Sequence, residues 1–184
     1  MKFFALLRMT TWGIPLLALA TLSGCRPKPP TPTKTPPKAP PTAVIYLINA
    51  ETGRLQPVRV PLETAEDADA AVKARYILTH YLDFTPTQKD LDKPFPPSTR
   101  LLDLQVKDTV AVVNFSEAYR TPQWWGGTDH AYLALRALVN TLTELKGIEK
   151  VRILIEGKTP EDKDCGGIED WSQPLERDES LIND

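Results

Sequence analysis

Two cysteines and two histidines in 184 residues are too few for a disulfide framework and lack the spacing of a zinc site. Residues 1–41 contain no Asp or Glu at all, yet hold six of the 22 basic side chains. The remaining residues carry 16 basic against all 24 acidic groups, a formal excess of eight negative charges. Nucleic acid is thereby excluded as a general partner, because phosphate binding needs a basic face. A membrane-spanning helix is also unsupported. The apolar run from Thr11 to Leu22 is broken by Gly13 and Pro15, and at about a dozen residues it falls short of the roughly 20 a bilayer requires.

What that N-terminal stretch does have is an address. Lys2 and Arg8 precede the uncharged run, which ends in small residues, the arrangement of an export signal over residues 1–24. Leu22-Ser23-Gly24-Cys25 resembles the lipobox of bacterial lipoproteins, which implies signal-peptidase recognition of Leu22, Ser23 and Gly24, cleavage before Cys25 and lipidation of Cys25. Membrane lipid is then a partner through the acylated Cys25, since two or more acyl chains anchor stably where one does not. The plainer alternative is an ordinary signal peptide followed by an incidental cysteine.

Residues 25–41 join this anchor to the rest. From Arg26 to Pro41, eight of sixteen residues are proline and none is a large apolar side chain, so the segment cannot build a core. As extended polyproline it reaches about 50 Å. It reads either as a tether that sets reach or as a linker of no tuned length.

Residues 42–184, about 140 in number, amount to one domain. Val44–Ile48 and Leu55–Val60 read as strands around a turn at Glu51–Arg54, with Pro57 marking an edge. A helix is predicted to start at Thr64 and run to Leu82, with Ala68, Ala71, Ala74, Leu78, Tyr81 and Leu82 on one side. Residues 83–98 read as an irregular loop. Leu102, Leu104 and Val106, then Ala111, Val113 and Phe115, alternate as a hairpin about Lys107-Asp108-Thr109, whose register is open because the favoured Asp-Gly is missing. A second helix, capped at Thr128 or Asp129 and stopped by Gly147, places Ala131, Leu135, Leu138, Leu142 and Leu145 on one face. Val151, Ile153 and Ile155 close the series. The order ββαββαβ plus a C-terminal tail gives an α/β fold of the α+β type. It is predicted as one two-layer mixed sheet with two main helices mostly on one face.

Several motifs within this region resemble the GerMN domain of sporulation and spore-germination lipoproteins and other bacterial envelope proteins. They are Tyr46-Leu47 with Gly53-Arg54-Leu55-Gln56-Pro57-Val58, Pro97–Leu102 with Val113-Asn114-Phe115-Ser116, Leu138–Thr143 with Val151–Gly157, and Gly166-Gly167 with Ser172–Asp178. The resemblance implies a small α/β module, similar to the ring-building domains of envelope-spanning complexes, that scaffolds or binds without catalysis. Two departures stand out: Thr79-His80-Tyr81-Leu82 replaces a leucine and a Gly-Pro stop, and Asn114 replaces a common acidic residue.

Chemistry beyond binding has little to work with. Cys165 with His130 and Asp129 is the one thiol and imidazole combination, but no local signature surrounds it and an acidic loop disfavours a thiolate. Gly126-Gly127 before a helix resembles an anion cradle, yet lacks a Walker lysine and the dinucleotide spacing. Glu161–Asp164 lacks the alternating oxygens and glycine of a calcium loop. Adjacent Trp124 and Trp125 cannot both face inward, so either one anchors the core while the other lies over it, or one is exposed to a partner or a sugar ring. The expectation is an exported, lipid-anchored protein on the extracytoplasmic side of the bacterial membrane. It has no cofactor, metal or catalytic residue, it contacts envelope proteins or itself, and the approach Trp124, Trp125, Gly126 and Gly127 is its candidate surface. The alternative is a lipoprotein that recognises cell-wall saccharide or a small solute.

Overall fold

Dense β-branched and apolar residues make β1 (Thr42–Asn49) a strand that is buried along most of its length. It pairs antiparallel with β2 (Arg54–Pro61), from Thr42 opposite Pro61 to Asn49 opposite Arg54. The computed structural model describes residues 41–161, 163–167 and 170–183. The predicted export signal, Cys25 and the predicted tether up to residue 40 lie outside the described residues. Pro57 does sit on an edge strand, as its missing N–H requires.

The first helix, α1 (Ala70–Asp83), starts later than Thr64 because the Asp69 carboxylate accepts from the Val72 N–H at 2.8 Å, closing the N-terminus there. Its buried face is Ala74, Ile77, Leu78 and Tyr81. The stretch predicted as loop contains β3 (Leu91–Asp92), which pairs with Ile48 and Asn49 of β1.

In the second hairpin, β4 (Leu101–Lys107) and β5 (Val110–Phe115) have Lys107 opposite Val110, so the turn is the two residues Asp108-Thr109. Both have positive φ, 48° and 65°, the geometry that matches the strand twist but is unfavourable for a β-branched residue. Thr109→Gly keeps the Thr109 carbonyl bonds from Glu149 and Lys150 and loses only an exposed hydroxyl contact to Glu149. Urea unfolding is therefore expected to show a gain of about 0.5–1 kcal/mol. A register shift between Leu101 and Asp103 breaks the expected alternation: Leu104 is buried, but Leu102 sits at the bulge and is 42% exposed.

Next come α2 (Pro122–Trp125) and α3 (Thr128–Thr143), then β6 (Lys150–Ile155) and β7 (Leu175–Glu176). The N-cap of α3 is Gly127, one residue before the expected Thr128, and the helix ends at Thr143, before Gly147 is reached. The connection through α3 lets β6 lie parallel to β5, while β7 pairs antiparallel with β6. The predicted face Ala131, Leu135, Leu138, Leu142 and Leu145 is buried throughout.

The α/β class is as expected, and so is the order ββαββαβ of the longer elements, to which the short β3, α2 and β7 are added, but the strands divide between two sheets, β2-β1-β3 and β4-β5-β6-β7. Tyr46 shows why they do not merge. Its N–H donates to Thr141 Oγ1 of α3 at 3.0 Å, and its carbonyl accepts from the Tyr81 hydroxyl of α1. Two helices thus satisfy the polar groups that another strand would have paired. Nor do the helices stay with one sheet: α3 contacts β1 and β2 as well as β6 and β7, and α1 contacts β4 and β1.

The C-terminal tail is a strap. After β7 it crosses α3, and Ile182 bridges in parallel to Leu55 of β2 while the Asn183 N–H donates to the Leu55 carbonyl at 2.8 Å.

Candidate functional site

A 3₁₀ turn at Glu117–Arg120 leads directly into α2, and this short path decides how the two tryptophans divide. Trp125 turns inward, where it is 2% exposed and donates its indole N–H to the Tyr119 carbonyl at 2.7 Å. Trp124 stays half-buried, edge-on to Trp125 at 5.0 Å and to His130 at 4.8 Å. Together they end a column of rings that runs through Tyr119, Phe115 and Phe95 to Tyr81, with neighbouring centroids between 4.5 and 6.0 Å apart. One tryptophan is a core anchor and the other lies over it.

Two cavities flank this turn. The first, about 650 Å³, is walled by Arg120, Trp125, Gly126, Gly127, Asp164 and Cys165 among others. Arg120 does not offer a free charge there: it reaches both carboxylate oxygens of Glu117, at 2.7 and 2.8 Å, and Asp164 at 3.0 Å. Gly126-Gly127 therefore faces a guanidinium already neutralised by two acids, which removes the support for an anion cradle. Cys165 is buried in a left-handed conformation, and burial foremost, with the Asp164 charge adding, pushes its thiol up to about 12. The thiol is thus protonated at neutral pH. Alkylation of Cys165, followed by peptide mass mapping, is expected to be negligible in the folded protein at pH 8 and complete in denaturant.

The second cavity, about 520 Å³, is bounded by Asp92, Lys93, Phe95, Gln123, Trp124, Gly126 and His130. Cys165 and His130 hence wall different cavities, and no hydrogen bond joins them. Among the described residues no group of three or more His, Cys, Asp or Glu could hold a metal ion. Within the acidic run, Glu161 pairs with Lys163 at 2.9 Å, while Asp162 lies outside the described residues.

The motif residues Asn140, Arg177 and Asp178 come together elsewhere, under the strap. Asn140 makes a reciprocal pair with the Asp178 backbone: its Nδ2 donates to the carbonyl at 2.8 Å and its Oδ1 accepts from the N–H at 3.0 Å. Arg177 donates to the Asn140 carbonyl at 3.0 Å, to the Tyr46 hydroxyl at 2.9 Å and to Glu144 at 2.5 Å. Arg136 and Tyr132 of α3 add bonds to the Glu176 carbonyl and the Asp178 carboxylate. These residues hold the tail in place, and sequence reading alone did not separate that structural role from a functional one.

The family model described as Germane: Sporulation and spore germination matches residues 44–161. The chain belongs to the Germane family. Solved structures carry the same fold. The first GerMN domain of the sporulation protein GerM from Bacillus subtilis is 20% identical with a TM-score of 0.55, over 74% of this chain and 98% of that one. The tandem GerMN domains of the same protein give 17% and 0.54, over 84% of this chain and 50% of that one. A Clostridium perfringens protein described as a candidate lipoprotein gives 20% and 0.51, over 67% and 76%. No curated protein matches. The family match stops at residue 161, so the strap lies past it. Both departures from the Germane pattern have structural roles: Tyr81 closes the β1 edge, and Asn114 Oδ1 accepts from the Gly157 N–H at 2.8 Å, as a carboxylate oxygen would. Gly157, at φ 75°, forms with Glu156 the tight turn that ends β6.

Proposed function

We propose that this chain is a non-catalytic interaction module of the bacterial envelope, lipid-anchored at Cys25 and given reach by the proline-rich residues 26–41. Its domain, residues 42–184, contacts other envelope proteins or a second copy of itself. Membership of a family described by sporulation and germination, and a fold shared with a candidate lipoprotein, support the setting. The separation of Cys165 from His130 supports the absence of catalysis.

The observation that carries the reading is the open side of β4. Among the described residues this seven-residue strand is the edge of its sheet, with no strand paired along its outer side and only Arg75 of α1 reaching over to the Leu104 carbonyl at 2.9 Å. Beside it, Val72 and Leu104 line a groove of about 630 Å³ against α1. Val72 at 51% and Leu102 at 42% are the large hydrophobic side chains most exposed among the described residues. Exposed apolar side chains next to a strand edge that no other strand covers are a docking surface for another chain.

The test is crosslinking in cells of the lipidated full-length protein, compared with a Cys25→Ala form carrying a different export signal. Specific envelope proteins, or an oligomer of this chain, are expected with the first and reduced with the second. Leu102→Lys is expected to abolish that recovery without unfolding the domain. Recovery that Leu102→Lys leaves unchanged removes β4 as the surface, and recovery of nothing specific overturns the interaction reading.

A further inference from the structure

The geometry points to a pyranose-binding subsite at Trp124, in the cavity of about 520 Å³ between β3, α2 and the first turn of α3. It goes beyond the interaction reading and does not depend on it, since none of its residues belongs to β4. The volume lies in the range of small-ligand sites.

A sugar ring presents apolar C–H faces and a rim of hydroxyls. It is recognised by a rigid aromatic surface for the first and by planar donors and acceptors for the second. Trp124 meets the first need: its indole lines the cavity, is only half-buried, and is braced edge-on by Trp125 and His130. Because Trp125 is itself fixed by its bond to the Tyr119 carbonyl, the orientation of Trp124 is set before any ligand arrives.

The second need is met from the end of β3 as well as from α2. Asp92 and Gln123 are exposed, line the cavity, and spend no side-chain hydrogen bond or ion pair on other described residues. Lys93 donates once, to the Leu82 carbonyl at 2.9 Å, which fixes its ammonium and leaves two further donors. A carboxylate acceptor, an amide that both donates and accepts, and an ammonium donor thus stand around one aromatic plate. An apolar peptide side chain would strip water from these three groups and replace none of their hydrogen bonds. Hydroxyls replace them all.

The experiment titrates the full-length protein in detergent with chitotriose, with maltotriose and with trialanine, by calorimetry and tryptophan fluorescence. At least one trisaccharide is expected to bind saturably and the peptide not at all. Trp124→Ala is expected to weaken that binding by at least about tenfold. Gln123→Ala, an exposed position remote from the core, is expected to weaken it several-fold and keeps the test valid should the tryptophan variant fold poorly. A preference for chitotriose assigns an acetamido sugar, and a preference for maltotriose a plain glucan. No saturable sugar binding up to about 10 mM overturns the subsite. So does binding that both substitutions leave unchanged, or binding of the peptide alone. The Leu102→Lys crosslinking result is independent of all three titrations, so a failed sugar site leaves the interaction reading standing.

Discussion

Trp125→Ala is expected to destabilise the domain by about 3–5 kcal/mol, the range for removing a large buried aromatic. The side chain is buried, its N–H is bonded, and it sits between Tyr119 and Trp124 in the ring column. Removing it leaves a cavity in the core and an unpaired carbonyl at Tyr119. Trp124→Ala, by contrast, loses two edge contacts from a half-buried position, for about 1–2 kcal/mol. Urea unfolding of the two variants, side by side, checks the division. Equal losses would mean that Trp124 is as much a core residue as its neighbour, and would leave neither of the pair available for a ligand. Binding experiments on Trp125→Ala report on folding, so Trp124 is the position at which function can be read.

Asn140→Ala is expected to cost about 2–4 kcal/mol and to release the strap, because two hydrogen bonds to the Asp178 backbone disappear from a side chain with no solvent exposure. Hydrogen exchange should show lost protection at Asp178 and Asn183 before the sheets themselves are affected. The same strap makes the fold sensitive to acid. Hydrogen bonds from Ser180 foremost, and also from Tyr132, hold the Asp178 carboxyl below the ordinary carboxylate range against the opposing effect of burial. A carboxyl with a lower pKa folded than unfolded stabilises the folded form above the unfolded value near about 4. That contribution is lost as pH falls through the folded value. Protection factors at residues 178–183, taken relative to the intrinsic exchange rate at each pH, are therefore expected to fall below about pH 4 in the parent, and to lose this pH dependence in Asp178→Asn.

Local chemistry accounts for the elements that were legible in advance. Val44–Ile48 could only be a strand, the 4,3,4,3 spacing from Ala131 to Leu145 could only bury one helical face, and Pro57 could only tolerate an edge. The misplaced features have an identifiable cause as well. Asp69, instead of Thr64, caps α1, because capping depends on which side-chain oxygen reaches a backbone N–H. β3 is two residues long, too short for any periodicity to announce it. The bulge at Leu102 breaks an alternation that is regular in sequence, because pairing with β5 decides register.

The candidate site follows the same rule. That adjacent tryptophans must divide between core and surface is a consequence of backbone geometry, and it could be stated from the sequence. Which one turned inward depended on the Tyr119 carbonyl. That His130 lies against Trp124, and that Asp92 and Gln123 share its cavity, depended on β3 docking beside β1.

By itself, then, the sequence determined the charge asymmetry, the anchor and tether expectation, the α/β element order and the family, because each is written in composition or in short-range spacing. Only the tertiary structure decided that the strands form two sheets, that the motif residues Asn140, Arg177 and Asp178 are a clasp, and that burial, ahead of the acidic loop, keeps the thiol protonated. Each of these is a long-range contact: Thr141 and Tyr81 on the Tyr46 backbone, Arg177 on Tyr46 and Glu144, burial around Cys165. The energy of such contacts comes from hydrogen bonds, strengthened where water is excluded, to partners that lie far away in sequence, and local patterns carry no record of it.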